Sequence, residues 1–288
     1  MTAKGVDKLV ALLSPEQISD THFRGMGSAD DGAEATYGGH FLGQALAAGF
    51  GTVDDERHVH SLHAYFVRGG DPGKPIDYFV DVIRDGRTFA IRRVSAKQQD
   101  KILFELSASF CKIESGAEIT ADPPSDFSRL PAPESITPYT ELLMQHQPMP
   151  LPEDWIKRDS GIDIRVVNAP WAAAGIGEQQ SIRSWFKLAG EAPDNPHFHA
   201  AALAYQTDES LADILLVPFN RTWCSPGTFC VSLDHGLWFH EPIDVSNWHF
   251  IDQKALVAKN GRGVGNGYVW SMEGRLVASF TQEVLFRI

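Results

Sequence analysis

Residues 197–212, HFHAAALAYQTDESLA, decide how the chain is read. Asp194 and Asn195 offer oxygens for an N-cap, and Pro196 stands where a first helical residue is best tolerated. The Ala and Leu that follow favour helix, so the stretch predicts one helix running to 212. It is small and apolar on every side until Asp208. Two readings of that carboxylate stay open on local grounds. It is the solvated end of a helix, or it is a base held at the end of an apolar tunnel.

The same pattern occurs earlier. YGGHFLGQALAA at 37–48 places two glycines before an Ala/Leu run, a turn into a buried helix. Its first N–H groups are free for an anion or a carbonyl oxygen. Glycine there is also explained by close backbone packing. Strands are predicted after it at 62–67, 76–84, 88–97 and 102–110, with Asp85-Gly86 as a hairpin turn. The second half repeats the order: strands at 162–168 and 180–188, the Asp208 helix, then strands at 233–240, 248–258, 267–272 and 276–286. Ala108-Ser109-Phe110 matches Ala278-Ser279-Phe280, and the segment from His63 matches that from His235. The expectation is an α+β protein made of two copies of a helix-plus-antiparallel-sheet unit. The copies are expected at 1–115 and 159–288. A proline-rich linker at 116–158 joins them, with a short helix at 139–145.

Composition narrows the function classes. The chain has 288 residues, 43% hydrophobic and 22% charged, with a formal net charge of −12. That charge disfavours nucleic acid and anionic membranes as partners. Cys111, Cys224 and Cys230 lack metal or redox spacing, which fits free thiols in a reducing, cytoplasmic setting. No apolar run is long enough to insert into a membrane. No HExxH or Cys/His pattern calls for a metal, and no GxSxG marks a serine nucleophile. The glycine run at 261–267 breaks the GxGxxG pattern and reads as a flexible hairpin between strands.

One amide stands out on the last strand. Leu276, Ala278, Phe280, Gln282, Val284 and Phe286 share a face by period 2. Gln282 alone is polar there, and left unpaired it would cost about 1–3 kcal/mol. His235 likewise interrupts an apolar alternation. In a regular strand Ser232 would face away from it, but Pro226 and Gly227 allow a bend that re-aims it. Periodicity leaves this undecided.

Five segments, in this order, resemble the type II acyl-CoA thioesterases: GGHFLGQALAA at 38–48, HSLHAYFVRGGD at 60–71, RDGRTFAIRRVSAKQ at 84–98, LDHGLWFHEP at 233–242 and VASFTQE at 277–283. The resemblance covers nearly the whole chain. It implies a double hotdog, in which each helix is wrapped by an antiparallel sheet. It also implies hydrolysis of fatty acyl-CoA without a metal or other cofactor, and assembly into a dimer or tetramer. That family activates a water with an Asp, a Thr or Ser hydroxyl and a Gln; the matching positions are Asp208, Ser232 and Gln282. The first copy has Lys112 where Gln282 falls and no acid in its helix, so one reaction site per chain is expected. Expected substrate contacts are Gly38 and Gly39 for the thioester oxygen, His60 and His63 in the neighbouring core, and Arg84, Arg87 and Arg93 for the coenzyme A phosphates. Arg68, Arg92 and Lys97 add to that basic cluster. The alternatives are a hotdog hydratase or dehydratase using Asp234 and His235, and a non-catalytic acyl-CoA sensor.

Overall fold

The computed structural model describes residues 3–27, 35–146, 159–168, 181–223 and 225–288. Cys224 and part of the proline-rich segment therefore lie outside the described residues. Helix α1 (Ala3–Leu12) precedes two short strands, β1 (Glu16–Ser19) and β2 (His22–Gly25). Helix α2 (Gly38–Phe50) is followed by β3 (His58–Phe66), β4 (Ile76–Asp85), β5 (Phe89–Gln98) and β6 (Lys101–Cys111). Helix α3 (Tyr139–His146) leads into β7 (Ile162–Val166) and β8 (Ser181–Leu188). Helices α4 (Pro196–Thr207) and α5 (Leu211–Leu216) precede β9 (Phe229–Ser232) and β10 (Asp234–Phe239). Strands β11 (His249–Lys259), β12 (Arg262–Ser271) and β13 (Leu276–Arg287) complete the fold.

The strands form one 13-stranded sheet in the order β1-β2-β4-β5-β6-β3-β10-β13-β12-β11-β8-β7, with β9 on β13. Read outward from the central β3–β10 pair, the two halves list corresponding strands in the same order. This is the expected α+β duplication. Helices α2 and α4 pack on each other inside the curved sheet, and their Phe41, Leu42, Leu46, Leu203 and Ala204 side chains enter the main core. Close approach needs glycine at Gly43, whose added Cβ would meet the Ala201 carbonyl at 3.2 Å.

Four local readings are corrected. Strands β1 and β2 lay unseen in the sequence; they are four residues each, and β1 is exposed throughout, leaving no period to detect. The helix from 197 does not run to 212. It stops at Thr207, Ser210 turns left-handed at φ 67°, and α5 starts afresh. The Gln253 side chain, reaching from β11, donates to the Glu209 carbonyl at 3.3 Å and so captures backbone that a helix would have used. The glycine run at 261–267 is a turn followed by strand: a Cβ on Gly265 would stand 2.9 Å from Leu211, so glycine makes room for α5 against β12. Finally, His63 does not correspond to His235. His63 pairs with Ser107, whose counterpart in the second copy is Val277, and the Val277 carbonyl accepts the His240 amide. His63 is thus equivalent to His240 and faces outward, whereas His235 is 1% exposed.

Candidate active site

Asp208 follows the last residue of α4, at the negative end of its helix dipole. Asn195 begins that helix, accepting the His197 amide at 2.9 Å, with Pro196 in the first turn. The Asp208 side chain enters the core and is 8% exposed. Burial pushes its carboxyl up to about 6; hydrogen bonds from Gln282, Ser232 and the Gly39 amide pull the other way, while the neighbouring Glu209 charge adds to the rise.

Gln282 reaches Asp208 from β13, its Nε2 donating to Oδ1 at 2.9 Å and also to Ser232 Oγ. Ser232 closes the triangle with a hydroxyl that donates to Asp208 Oδ1 at 3.3 Å. The three residues come from a helix end and two strands, and the sheet brings them onto one inward face.

Ser232 faces inward because the strand is broken. Pairs of β10 with β13 run Gly236–Thr281 to Phe239–Ala278, but β9 pairs Ser232 with Val284, one residue out of that register. The bulge lies at Leu233–Asp234, where the Asp234 carboxylate takes the Glu283 amide at 2.7 Å in place of a ladder carbonyl. This settles what periodicity left open: the slip turns Ser232 to the same side as His235.

Beyond this triangle lie two residues that the sequence did not place in a thioesterase site, although His235 entered the hydratase alternative. Gln282 Oε1 is 3.1 Å from His235 Nδ1, and His235 Nε2 is 3.1 Å from Thr207 Oγ1. Burial drops the His235 imidazole to about 4, against which the Gln282 bond works weakly. The lone His in an apolar alternation was the visible signal for this contact; Thr207 gave none, since helix ends commonly carry Thr.

Of the expected substrate contacts, Gly38 and Gly39 lie at this centre, and the histidines and arginines lie away from it. The Gly39 amide is directed at Asp208, and a Cβ on Gly38 would collide with the same carboxylate and the Phe66 ring. His60 bonds Ser109 Oγ at 2.7 Å and sits edge-on to Phe89; His63 sits edge-on to Trp238 on the outer face. Arg84 and Arg87 lie on the β4–β5 hairpin, whose Gly86 and Thr88 carbonyls are held by Arg57 beyond the C-terminus of α2. Asp208 adjoins the N-terminus of α2. A helix of 13 residues separates the two, about 20 Å at ~1.5 Å per residue. Arg93 is exposed and paired with Asp81 at 2.6 Å, and Arg92 is buried against Thr52 and Asp85. Among the described residues no cluster of three or more His, Cys, Asp or Glu is placed to hold a metal.

Two helices paired inside one antiparallel sheet, with the strand order repeated in the two halves, define the double-hotdog class, and a buried carboxylate held by an amide and a hydroxyl lies at the end of one of those helices. The relatives agree. Residues 27–111 match the family model for the acyl-CoA thioesterase N-terminal domain, and residues 133–286 the model for its C-terminal domain. Acyl-CoA thioesterase 2 of Haemophilus influenzae is 33% identical over 286 residues, 98% of each chain. Human acyl-coenzyme A thioesterase 8 is 31% identical over 267 residues, 89% of this chain and 82% of that one. The crystal structure of the acyl-CoA thioesterase II TesB2 from Mycobacterium marinum superposes with a TM-score of 0.77 at 30% identity, covering 97% of both chains. The chain belongs to the type II acyl-CoA thioesterase family and is a hydrolase of acyl-CoA thioesters.

Proposed function

We propose that Asp208, Ser232 and Gln282 perform this hydrolysis on fatty acyl-CoA, with Asp208 as general base on a single water. The observation that carries the reading is the convergence of two chain-distant side chains, Ser232 and Gln282, within 3.3 Å of one buried carboxylate. A carboxyl near 6 is ionised at neutral pH yet basic enough to draw a proton from water, worth on the order of 10²–10⁴ in rate. Ser232 and the amide hold the carboxylate in the direction that aims that water at the thioester carbon. The leaving thiol, with a pKa of ~8.5, needs little help from an acid. The direct attack forms no acyl-enzyme.

The second copy carries the reaction and the first supplies binding surface, with boundaries near 1–115, 116–158 and 159–288. The basic strand remains the proposed contact for the phosphates, at a distance that suits the long coenzyme A chain. We place the protein in the cytoplasm and in lipid metabolism, as a dimer or tetramer; the short exposed edge strand β1 and outer-face Tyr65 and Trp238 favour association, which light scattering tests.

The decisive experiment is thiol release from palmitoyl-CoA by wild type and Asp208→Asn. Turnover that collapses in a folded, ligand-binding variant supports the reading; turnover near wild type sinks it. A hydratase or dehydratase is disfavoured because Asp234 is committed to the Glu283 amide and both ring nitrogens of His235 are engaged. A sensor would bind acyl-CoA and release no thiol.

A further inference from the structure

Gln282 can serve Asp208 only if its amide points one way. Asp208 Oδ1 is an acceptor at 2.9 Å, so the nitrogen must face it and the oxygen must face inward. Both amide hydrogens are then used, one on Asp208 and one on Ser232. The inward oxygen carries no hydrogen, so His235 Nδ1, 3.1 Å away, must bring the proton. A neutral ring protonated at Nδ1 leaves a lone pair on Nε2. Thr207 Oγ1 lies 3.1 Å from that nitrogen and 3.0 Å from the Ala204 carbonyl, and it has one proton to give. The carbonyl can forgo it within a helix end; a buried ring nitrogen has no other donor among the described residues.

We propose that His235, held as the Nδ1–H tautomer by Thr207, is the positioning residue that aims the Gln282 amide at Asp208 and Ser232. The chain of donors runs Thr207 to His235 to Gln282 to Asp208, and Thr207 and Asp208 are neighbours in sequence. The network is therefore a closed ring joining the end of α4 to β10 and β13, and each bond polarises the next. Phe280 stacks on the imidazole, with centroids 6.0 Å apart and planes at 17°, and fixes its plane. The ring touches neither water nor thioester. Its effect reaches the reaction through the carboxylate, whose charge is stabilised by the amide hydrogen. This inference rests on the proposed role of Asp208.

The test is the pH dependence of kcat/KM. The ionisable groups around Asp208 are Glu209 beside it, Cys230 on β9, Asp213 on α5, and Tyr37, His40 and Tyr205 from the paired helices. Asp234 and Glu283 next to the ring are turned to a backbone amide and to Arg262, respectively. None of these changes between variants, so a displaced acid limb reports on the amide. His235→Leu should lower kcat on the order of 10–100-fold at little-changed KM, and move the acid limb up by about one pH unit. His235→Asn sets an amide N–H where Nδ1–H stood and should recover most of the rate and the limb. Thr207→Val should give a smaller loss with a limb shift in the same direction. A folded Leu variant with wild-type kcat and limb overturns the proposal. If the Leu variant fails to fold, an unmoved limb and rate in Thr207→Val overturn it. Asp208→Asn measured alongside separates the two failures. An active Asp208→Asn removes the base itself; an inactive one beside a normal Leu variant removes only the role of His235.

Discussion

Asp208 is held where a carboxylate is least stable: at a helix C-terminus, desolvated, next to Glu209. Its folded pKa of about 6 lies above the ordinary carboxyl value of 3.8, so the native state holds the proton more tightly. The stability contributed by that difference is complete below pH 3.8 and is lost as pH rises through 6. Full ionisation then costs at most about 3 kcal/mol, at 1.36 kcal/mol per unit. Asp208→Asn is expected to raise the melting temperature at pH 8 and to lose that advantage at pH 4, while turnover falls on the order of 10²–10⁴-fold. A melting temperature unchanged at pH 8 would show that the charge is solvated. Ser232→Ala should lower kcat by a smaller factor, about tenfold, because Gln282 still donates to the carboxylate. The acid and the amide stood out from residues alone, each a polar group on an apolar face, but only the family resemblance assigned them to a site. Ser232 did not stand out, since its direction depends on a bulge.

At the level of elements, the site depends on two interruptions, one in a helix and one in a strand. α4 must end at Thr207 for Asp208 to turn inward, and β9 must slip against β13 for Ser232 to do so. Neither break has a local cause strong enough to read in advance. DESLA is ordinary helix composition, and the Gln253 side chain that holds Glu209 and Ser210 comes from a strand more than forty residues on. The Asp234 carboxylate that anchors the bulge could equally have been a surface charge. Most of the helices and long strands were legible because burial imposes a period on them; these breaks are tertiary. Asp234→Ala should therefore leave the Glu283 amide without its partner at 2.7 Å and let β9 shift. We expect a stability loss of about 1–3 kcal/mol and a fall in kcat, read by chemical denaturation and thiol release. A variant that loses stability but keeps kcat would show that Ser232 holds its direction without the bulge.

Across the whole molecule, duplication supplies the frame and one copy departs from it. The repeat was visible in AlaSerPhe at 108–110 and 278–280, whereas the apparent match of His63 with His235 paired an outward residue with a buried one. Similar β segments leave the register free by a few residues, and only the β6–β13 correspondence fixes it. The consequence is that His235 has no counterpart facing the core at His63, and among the described residues it is the second copy that joins a buried imidazole, through Gln282, to a buried acid. That pair gives the fold a pH response of mixed sign. His235 falls to about 4 in the native state from the ordinary imidazole value of 6.5, so its contribution to stability is present above 6.5 and is lost as pH falls toward 4. Asp208 works in the opposite direction over much of the same range, which partly hides the effect in the wild type. His235→Asn removes the imidazole term and leaves the carboxyl. The variant should be less stable than wild type at pH 8, and the gap should narrow by up to about 3 kcal/mol on going to pH 4.5. Urea titrations at the two pH values measure it. A gap that stays constant would mean that the imidazole titrates normally inside the fold, and that its burial does not oppose the charged form.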